Sequence, residues 1–283
     1  VLKTYKKRWM RFKRYWLLAL ALVLVVTTDT SIAQQQRWVS LNQCVDQLLL
    51  RWAPQQLVGI TYLSAGEPLL KTTAAHVTAH NGTLESILAL QPSRVIATAF
   101  TDPRLVKQLR EYTQVTRLAQ PQSWADYKRW RQQLIELGLE EQVSQHAAKT
   151  RVQLARLKSQ PQQVVFVMPN QWSWGEGSWA DTLINQVGWQ NLSAAEGSGL
   201  VALQLEQLLQ WQPDTVILEG FSENSFALAN NWRHHPLLKQ WLQQQRVTVI
   251  DSDKAACPVV NIGLYLDALE QVQQQRVSHD PTT

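Results

Sequence analysis

The chain has 283 residues, of which 45% are hydrophobic and 17% charged, with 27 Lys and Arg against 22 Asp and Glu. That length supports one large or two medium cores and is too great to depend on disulfides for folding. The net charge of +5 is no mark of a nucleic-acid surface: seven of the basic residues and one of the acidic ones fall in the first 33 positions, leaving 20 basic against 21 acidic residues where a binding face would need clustered cations.

Residues 1–33 read as an export signal. Lys3, Lys6, Lys7, Arg8, Arg11, Lys13 and Arg14 precede the apolar run Trp16 to Val26, and Ser31-Ile32-Ala33 supplies small residues at the cleavage positions. The run is about 11 residues, short of the roughly 20 that span a bilayer, which favours a cleaved signal over the alternative of an uncleaved anchor. No cysteine follows it directly, which argues against a lipid anchor. From Trp38 the order is strand (Trp38 to Leu41), helix (from Asp46 to Trp52), strand (Leu57 to Thr61), short helix (Leu84 to Ala89), strand (Arg94 to Ala97), helix (Leu105 to Tyr112) and strand (Val115 to Leu118). Two polar-rich helices follow, Trp124 to Leu137 and Glu140 to Lys158. The stripe of Val143, Ala147, Thr150, Leu154 and Leu157 marks the second as a strut roughly 28 Å long. Strand Val164 to Met168, helices Ala180 to Val187 and Leu205 to Leu209, strand Thr215 to Leu218, helix Leu237 to Gln243 and strand Val247 to Ile250 then repeat the first order. The tail from Gln271 is polar and expected to fray.

The two halves are related. Leu84-Glu85-x-Ile87-Leu88-x-x-Gln91-Pro92-x-x-Val95-Ile96 recurs as Leu205-Glu206-x-Leu208-Leu209-x-x-Gln212-Pro213-x-x-Val216-Ile217, 121 positions on. Leu105-Val106-Lys107-Gln108 recurs as Leu237-Leu238-Lys239-Gln240 at an offset of 132, so an insertion of 11 residues lies within Phe221 to His234. A period this long is not a solenoid repeat, and it implies two similar lobes with a cleft between them. Alternating strands and helices give the fold class: α/β, two Rossmann-like lobes with parallel central sheets, joined by a long backbone helix. The expected divisions are 1–33, a first lobe 34–123, a connecting helical segment 124–160, a second lobe 161–270 and a tail 271–283.

Together with the export signal and the strut, Ser40-Leu41-Asn42-x-Cys44-x-Asp46-Gln47-Leu48-Leu49, the paired Leu-Glu/Gln-Pro motifs and Gly188-Trp189-x-Asn191-Leu192 resemble the helical-backbone class of periplasmic substrate-binding proteins. These feed ABC importers for vitamin B12, ferric siderophores, haem or metal ions, and the resemblance covers essentially the whole mature chain. It implies a monomeric periplasmic carrier, with an ABC permease as partner, no resident cofactor, no nucleic-acid partner and no catalytic residues. It also implies that Glu85 and Glu206 dock on the permease, one per lobe, which suits a two-fold partner surface; each Glu also sits favourably near a helix N-terminus. The expected ligand is metal-containing and organic, a corrinoid, ferric siderophore or haem, with neutral or weakly charged ligands favoured.

Open α/β sheets bind ligands beyond the carboxyl ends of their strands. The expected cleft residues are Asn42, Gln43, Cys44, Tyr62, Phe100 and Trp124 from the first half, and Asn170, Trp172, Trp174, Phe221, Lys254 and Cys257 from the second. Thirteen Trp is many for this length, and large rings in a strand-end loop point to a ligand, to the other lobe, or to a loop folded onto its own lobe. Cys44 and Cys257 leave three alternatives: an inter-lobe disulfide, free thiols near a ligand, or buried thiols. Gly175-Glu-Gly177-Ser-Trp-Ala180 fits a dinucleotide fingerprint but sits too far beyond its strand, so a glycine-rich helix entry offering N–H groups to an anion is preferred. His76, His80, His234 and His235 raise a direct metal-ion site as an alternative function, with no converging set evident and His80 read as an exposed loop residue. A metallo-enzyme or chelatase of related fold is a further alternative; G-x-S-x-G, H-E-x-x-H and P-loop patterns are absent from the sequence.

Overall fold

The structure, a computed structural model, describes residues 36–66, 72, 74–158, 160–221, 236–243 and 246–277. The expected export signal, the part of the insertion beyond Phe221, and His234 and His235 lie outside the described residues. No described helix is long and apolar enough to cross a membrane.

Two parallel sheets carry the fold. In the first, β1 (Trp38–Ser40), β2 (Leu57–Thr61), β3 (Thr78–His80), β4 (Arg94–Ala97) and β5 (Gln114–Arg117) lie in the order β3-β2-β1-β4-β5. In the second, β6 (Gln163–Val167), β8 (Gln190–Asn191), β10 (Thr215–Glu219) and β11 (Val247–Ile250) lie in the order β11-β10-β6-β8. Read from the opposite edge, the second order is β8-β6-β10-β11, matching β2-β1-β4-β5, so the duplication seen in the sequence is a duplication of topology. Central strands such as β10 are buried along their whole length, as parallel sheets covered on both faces require.

The repeated motif folds the same way twice. Helices α2 (Leu84–Leu88) and α7 (Leu205–Trp211) each run into a glutamine with left-handed backbone, Gln91 at φ 49° and Gln212 at φ 48°, immediately before the proline that forbids further helix. In the first lobe the freed carbonyls are capped by Arg37, which donates to Leu90 O at 2.7 Å and Gln91 O at 3.1 Å. Helix α1 (Gln43–Trp52) begins three residues earlier than its apolar pattern suggests, because the Asn42 side chain accepts from the Cys44 N–H at 3.0 Å and caps it.

Helices α3 (Pro103–Leu109) and α8 (Pro236–Gln243) precede β5 and β11. Between the sheets, α4 (Trp124–Glu136) opens with a capping box of Ser123 and Asp126, and α5 (Glu140–Leu157) forms the strut. Val143, Thr150 and Leu157 of its expected stripe are buried. One finding corrects the reading of the C-terminus: Gln271 onward does not begin a frayed tail, because α10 (Ile262–Val277) carries the chain through Val277 with Leu269 and Val272 buried. This helix packs along α5, where Gln153 donates to Gly263 O at 3.1 Å and Gln273 to Leu157 O at 3.4 Å. Its polar second half is therefore one face of a packed helix.

The described residues from Arg37 onward form a single compact unit, and one apolar cluster runs through it, joining Leu48 and Ile96 of the first lobe, Trp130 of α4, and Val164, Ile217 and Tyr265 of the second. The cysteine alternatives resolve to the inter-lobe disulfide: Cys44, in the first turn of α1, is bonded to Cys257, with Cα atoms 5.2 Å apart. Beside it Arg51 donates to Asn261 Oδ1 at 2.9 Å, so α1 is tied covalently and by polar contacts to the segment that follows β11.

Candidate functional site

The carboxyl ends of both sheets open onto a cavity of about 370 Å³ between the lobes, within the roughly 300–1,000 Å³ usual for small-molecule sites. The first lobe supplies Phe100 from the turn after β4, and Gln120, Pro121 and Gln122 from the connection into α4. The second supplies Trp174, Ser178, Trp179, Glu219, Pro258 and Tyr265, among others. Phe100 is 75% exposed and stands at the mouth, an apolar ring in water with no packing reason of its own.

Trp174 reaches the cavity through a feature missed in the sequence. Trp172 to Trp174 is a strand, β7, paired antiparallel with β9 (Leu200–Ala202), and not an open loop. Ser173 donates to Phe166 O at 2.6 Å and so holds β7 against β6. The Trp174 indole N–H donates to Glu219 Oε1 at 2.8 Å. The glycines after β7 serve this ladder. A Cβ on Gly175 would run into the backbone oxygen of Gly197, and Gly177 turns at φ 69°. The expected anion cradle at this helix entry is not free, since Gly175 and Glu176 N–H donate to Gly199 O and Gly197 O, both at 2.7 Å, and Gly177 N–H to Asp181 Oδ2 at 3.1 Å. These amides are already satisfied within the chain.

Behind the cavity wall lies an aromatic layer. Trp179, in α6 (Trp179–Gln186), stacks on Trp124 with centroids 6.4 Å apart and planes 13° apart, and meets Tyr127 at 5.5 Å. Trp124 thus supports the wall from the second row and does not line the cavity. Of the expected cleft residues, Phe100 and Trp174 line the cavity; Asn42, Cys44 and Cys257 line a small adjoining void of about 30 Å³ that shares Gln120, Pro121, Pro258 and Val259 with it. Tyr62, Trp172 and Asn170 are exposed, and Gln43 half-buried, without lining either space. Phe221 is not in the cleft: it is 1% exposed, packed with Val167, Leu218 and Trp241 in a core of the second lobe. Lys254, in the short helix α9 (Ser252–Ala255), is paired across 2.9 Å with Asp251, the N-cap residue of that helix.

Among the described residues histidine does not build a metal centre. His80 is buried at the end of β3, where its Nε2 lies 2.8 Å from Ser40 O, so it is not the exposed loop residue its surroundings suggested; burial lowers its pKa. His76 Nε2 lies 3.2 Å from Pro54 O and 3.1 Å from Leu57 O. Among the described residues no group of three His, Cys, Asp or Glu converges on a metal position.

The residue that sequence reasoning missed is Glu219, the last of β10. It is 1% exposed, and burial pushes its carboxyl up to about 7 against the lowering effect of Trp174 and Tyr265. Tyr265, 2% exposed, is raised well above the usual phenol range, by burial first and by the Glu219 charge second. The phenol and the carboxylate interact with each other, which lowers the carboxyl and raises the phenol. At the repeat offset the first-lobe counterpart of Glu219 is Thr98; a glutamate in place of that threonine, directly after the apolar run Val216 to Leu218, was the available signal.

The sequence of residues 39–240 matches the model of the periplasmic binding protein family. The chain belongs to that family. As a periplasmic binding protein of the helical-backbone class it is similar in fold to solved structures at low identity. Periplasmic haem-binding protein HutB of Vibrio cholerae superposes with a TM-score of 0.63 at 21% identity, covering 87% of this chain and 100% of that one. Periplasmic vitamin B12-binding protein BtuF of Vibrio cholerae gives 0.58 at 20%, covering 87% and 98%. A possible iron-binding, periplasmic solute-binding protein from Staphylococcus epidermidis gives 0.64 at 15%, covering 84% and 98%. None of the curated proteins matches the sequence. Those identities speak for the fold alone, so the site must be read from its own residues.

Proposed function

We propose that this periplasmic binding protein captures a metal-containing organic ligand, a corrinoid, haem or ferric siderophore, between its lobes and hands it to an ABC permease. The observation that carries the reading is the inter-lobe cavity of about 370 Å³, walled by Phe100, Trp174 and Trp179 at the carboxyl ends of both sheets. Rings of this kind cover the apolar face of a large ligand without chemistry being done on it. A ligand of macrocycle size seats one edge in the cavity and leaves the rest at the mouth against Phe100. The neighbours of like fold include proteins named for haem and for vitamin B12, which supports that ligand class. Glu85 and Glu206 are both exposed, at matched positions of α2 and α7, as docking carboxylates on a two-fold partner need to be. An N-terminal export signal and periplasmic residence complete the reading.

The test is titration of purified protein, followed by tryptophan fluorescence and visible absorption, with cyanocobalamin, haem and ferric siderophores. One-to-one binding of a member of this panel without its turnover is expected. Failure to bind any of them refutes the ligand class.

A further inference from the structure

We propose that a groove behind the aromatic layer of the cleft is a second ligand site, which takes a phosphate monoester carrying an aromatic or apolar body. It goes beyond the carrier function and does not depend on it. The groove lies where α4, α5 and Gln186 at the end of α6 meet, and it encloses about 330 Å³, close to the 370 Å³ of the cleft cavity and within the range of small-molecule sites. Trp124 and Tyr127 of α4 give it an aromatic wall; Arg131 of α4 and Arg151 and Lys158 of α5 line it as well, and among the described residues no Asp or Glu does. The cleft cavity has the opposite character, with no Lys, Arg or His in its wall among the described residues. Trp124 stands between the two, one neighbour being Trp179 of the cleft wall at 6.4 Å.

The two sides of the strut differ in how their cations are neutralised. Toward α10, Lys149 meets Asp267 at 3.8 Å and Arg156 meets Glu270 at 3.6 Å. Arg151, Leu154 and Lys158 form a stripe on the opposite side of α5, facing the groove. Together with Arg131, the two cations of that stripe have no carboxylate partner among the described residues. Arg131 has the Tyr127 ring for a neighbour, 5.9 Å from its guanidinium carbon, which orients the group without neutralising it. Like charges gathered around one cavity repel, and an anion seated among them removes that repulsion. Guanidinium forks take phosphate oxygens in pairs, and the ammonium adds a point charge. A phosphate monoester carries close to two negative charges above its second pKa near 6, a better match to three cations than a single carboxylate, while the indole, the phenol and Leu154 offer surface to the body of the ligand.

Phenyl phosphate, inorganic phosphate and benzyl alcohol separate the ionic from the aromatic contribution. Each is titrated calorimetrically at pH 8 and low salt into wild type, Arg151→Gln, Lys158→Gln and the double variant. Both side chains are exposed, so the variants should fold, and thermal unfolding checks that they do. Wild type is expected to bind one phenyl phosphate roughly tenfold or more tightly than either of the other probes, with an affinity that falls as salt is added. Each single variant is expected to weaken phenyl phosphate binding about threefold to tenfold, and the double variant by more than either. Neither residue lines the cleft cavity, so this loss locates the ligand in the groove. Phenyl phosphate bound no more tightly than inorganic phosphate, or bound equally by wild type and a folded double variant, overturns the site. Flotation of wild type but not of the double variant with phosphatidylglycerol vesicles, without phenyl phosphate binding, gives these cations to a membrane surface and overturns the small-molecule site as well. Each of these outcomes leaves the cleft reading standing, since that is tested by its own ligand panel.

Discussion

Reducing the Cys44–Cys257 disulfide opens a loop of 213 residues that joins the first turn of α1 to the segment behind β11. In the chain-entropy treatment a loop of that length restricts the unfolded state by about 5 kcal/mol, and native bonds usually deliver roughly 2–5 kcal/mol. For a protein of this size each kcal/mol moves the midpoint by about 2–4 °C, so loss of the bond should lower Tm by roughly 10 °C. The native contacts beside it, Arg51 to Asn261 at 2.9 Å and the apolar cluster shared by both lobes, remain in place, so the reduced protein should still fold. Thermal unfolding followed by circular dichroism, with and without reductant, on wild type and on the Cys44→Ser/Cys257→Ser double variant, measures this. Reductant should shift wild type to the midpoint of the double variant and leave the double variant unmoved. A wild-type shift under about 2 °C, or two titratable thiols in unreduced, denatured protein, refutes the account of the bond.

The buried ionisable groups give stability a pH dependence of known sign. Glu219 and Asp46 are raised to about 7 and about 6, chiefly by burial, so the folded state holds protons the unfolded chain has released, and stability falls as pH rises from the unfolded values through the folded ones. His146 is lowered to about 4, by burial first and then by Arg131, Lys149 and Arg51, so it acts oppositely: stability falls as pH drops from about 6.5 toward 4. Between pH 6.5 and 5, urea unfolding should therefore show Glu219→Gln gaining less than wild type on acidification and His146→Gln gaining more, each by about 1.4 kcal/mol per pH unit; parallel curves for all three would contradict the burial assigned to these groups. Glu85→Lys and Glu206→Lys should each reduce permease-dependent uptake in cells while ligand affinity of the purified protein stays the same, and a variant that loses ligand binding would refute the docking role. Gly175→Ala should cost roughly 1–3 kcal/mol of stability, since its Cβ meets the Gly197 backbone oxygen and lies 2.8 Å from Val201 Cγ1. It should weaken ligand binding as well by displacing Trp174, and unchanged melting would show that β7 and β9 do not pair as described.

Much of the architecture was legible because buried parallel strands leave short β-branched runs bounded by turn residues. Leu57–Thr61, Arg94–Ala97 and Val247–Ile250 fall where those runs do, and the repeated Leu-Glu/Gln-Pro motif carries the duplication that sheet order then displays. What escaped was set by tertiary contact. Helix α10 ends in glutamines, and only its packing along α5 explains why they remain helical. The strand Trp172–Trp174 is three residues long, too short to show a period, and depends on a partner some 28 positions away. Phe221 follows a strand end, as a cleft residue would, yet turns back into its own core. Glu219 was passed over because its strand was read as ending at Leu218, and a lone acid there looks like a solvated turn until its burial is known.

The central claim is that one ligand seats between the lobes against the aromatic wall, and the most direct measurement is a calorimetric titration of wild type and Phe100→Glu with the member of the cyanocobalamin, haem and ferric siderophore panel that binds. Phe100 is 75% exposed, so the substitution should leave the fold intact and place a charge at the cavity mouth. The expected result is one-to-one binding by wild type and at least tenfold weaker binding by the variant. No binding of any panel member by wild type, or equal affinity in the two proteins, would contradict it.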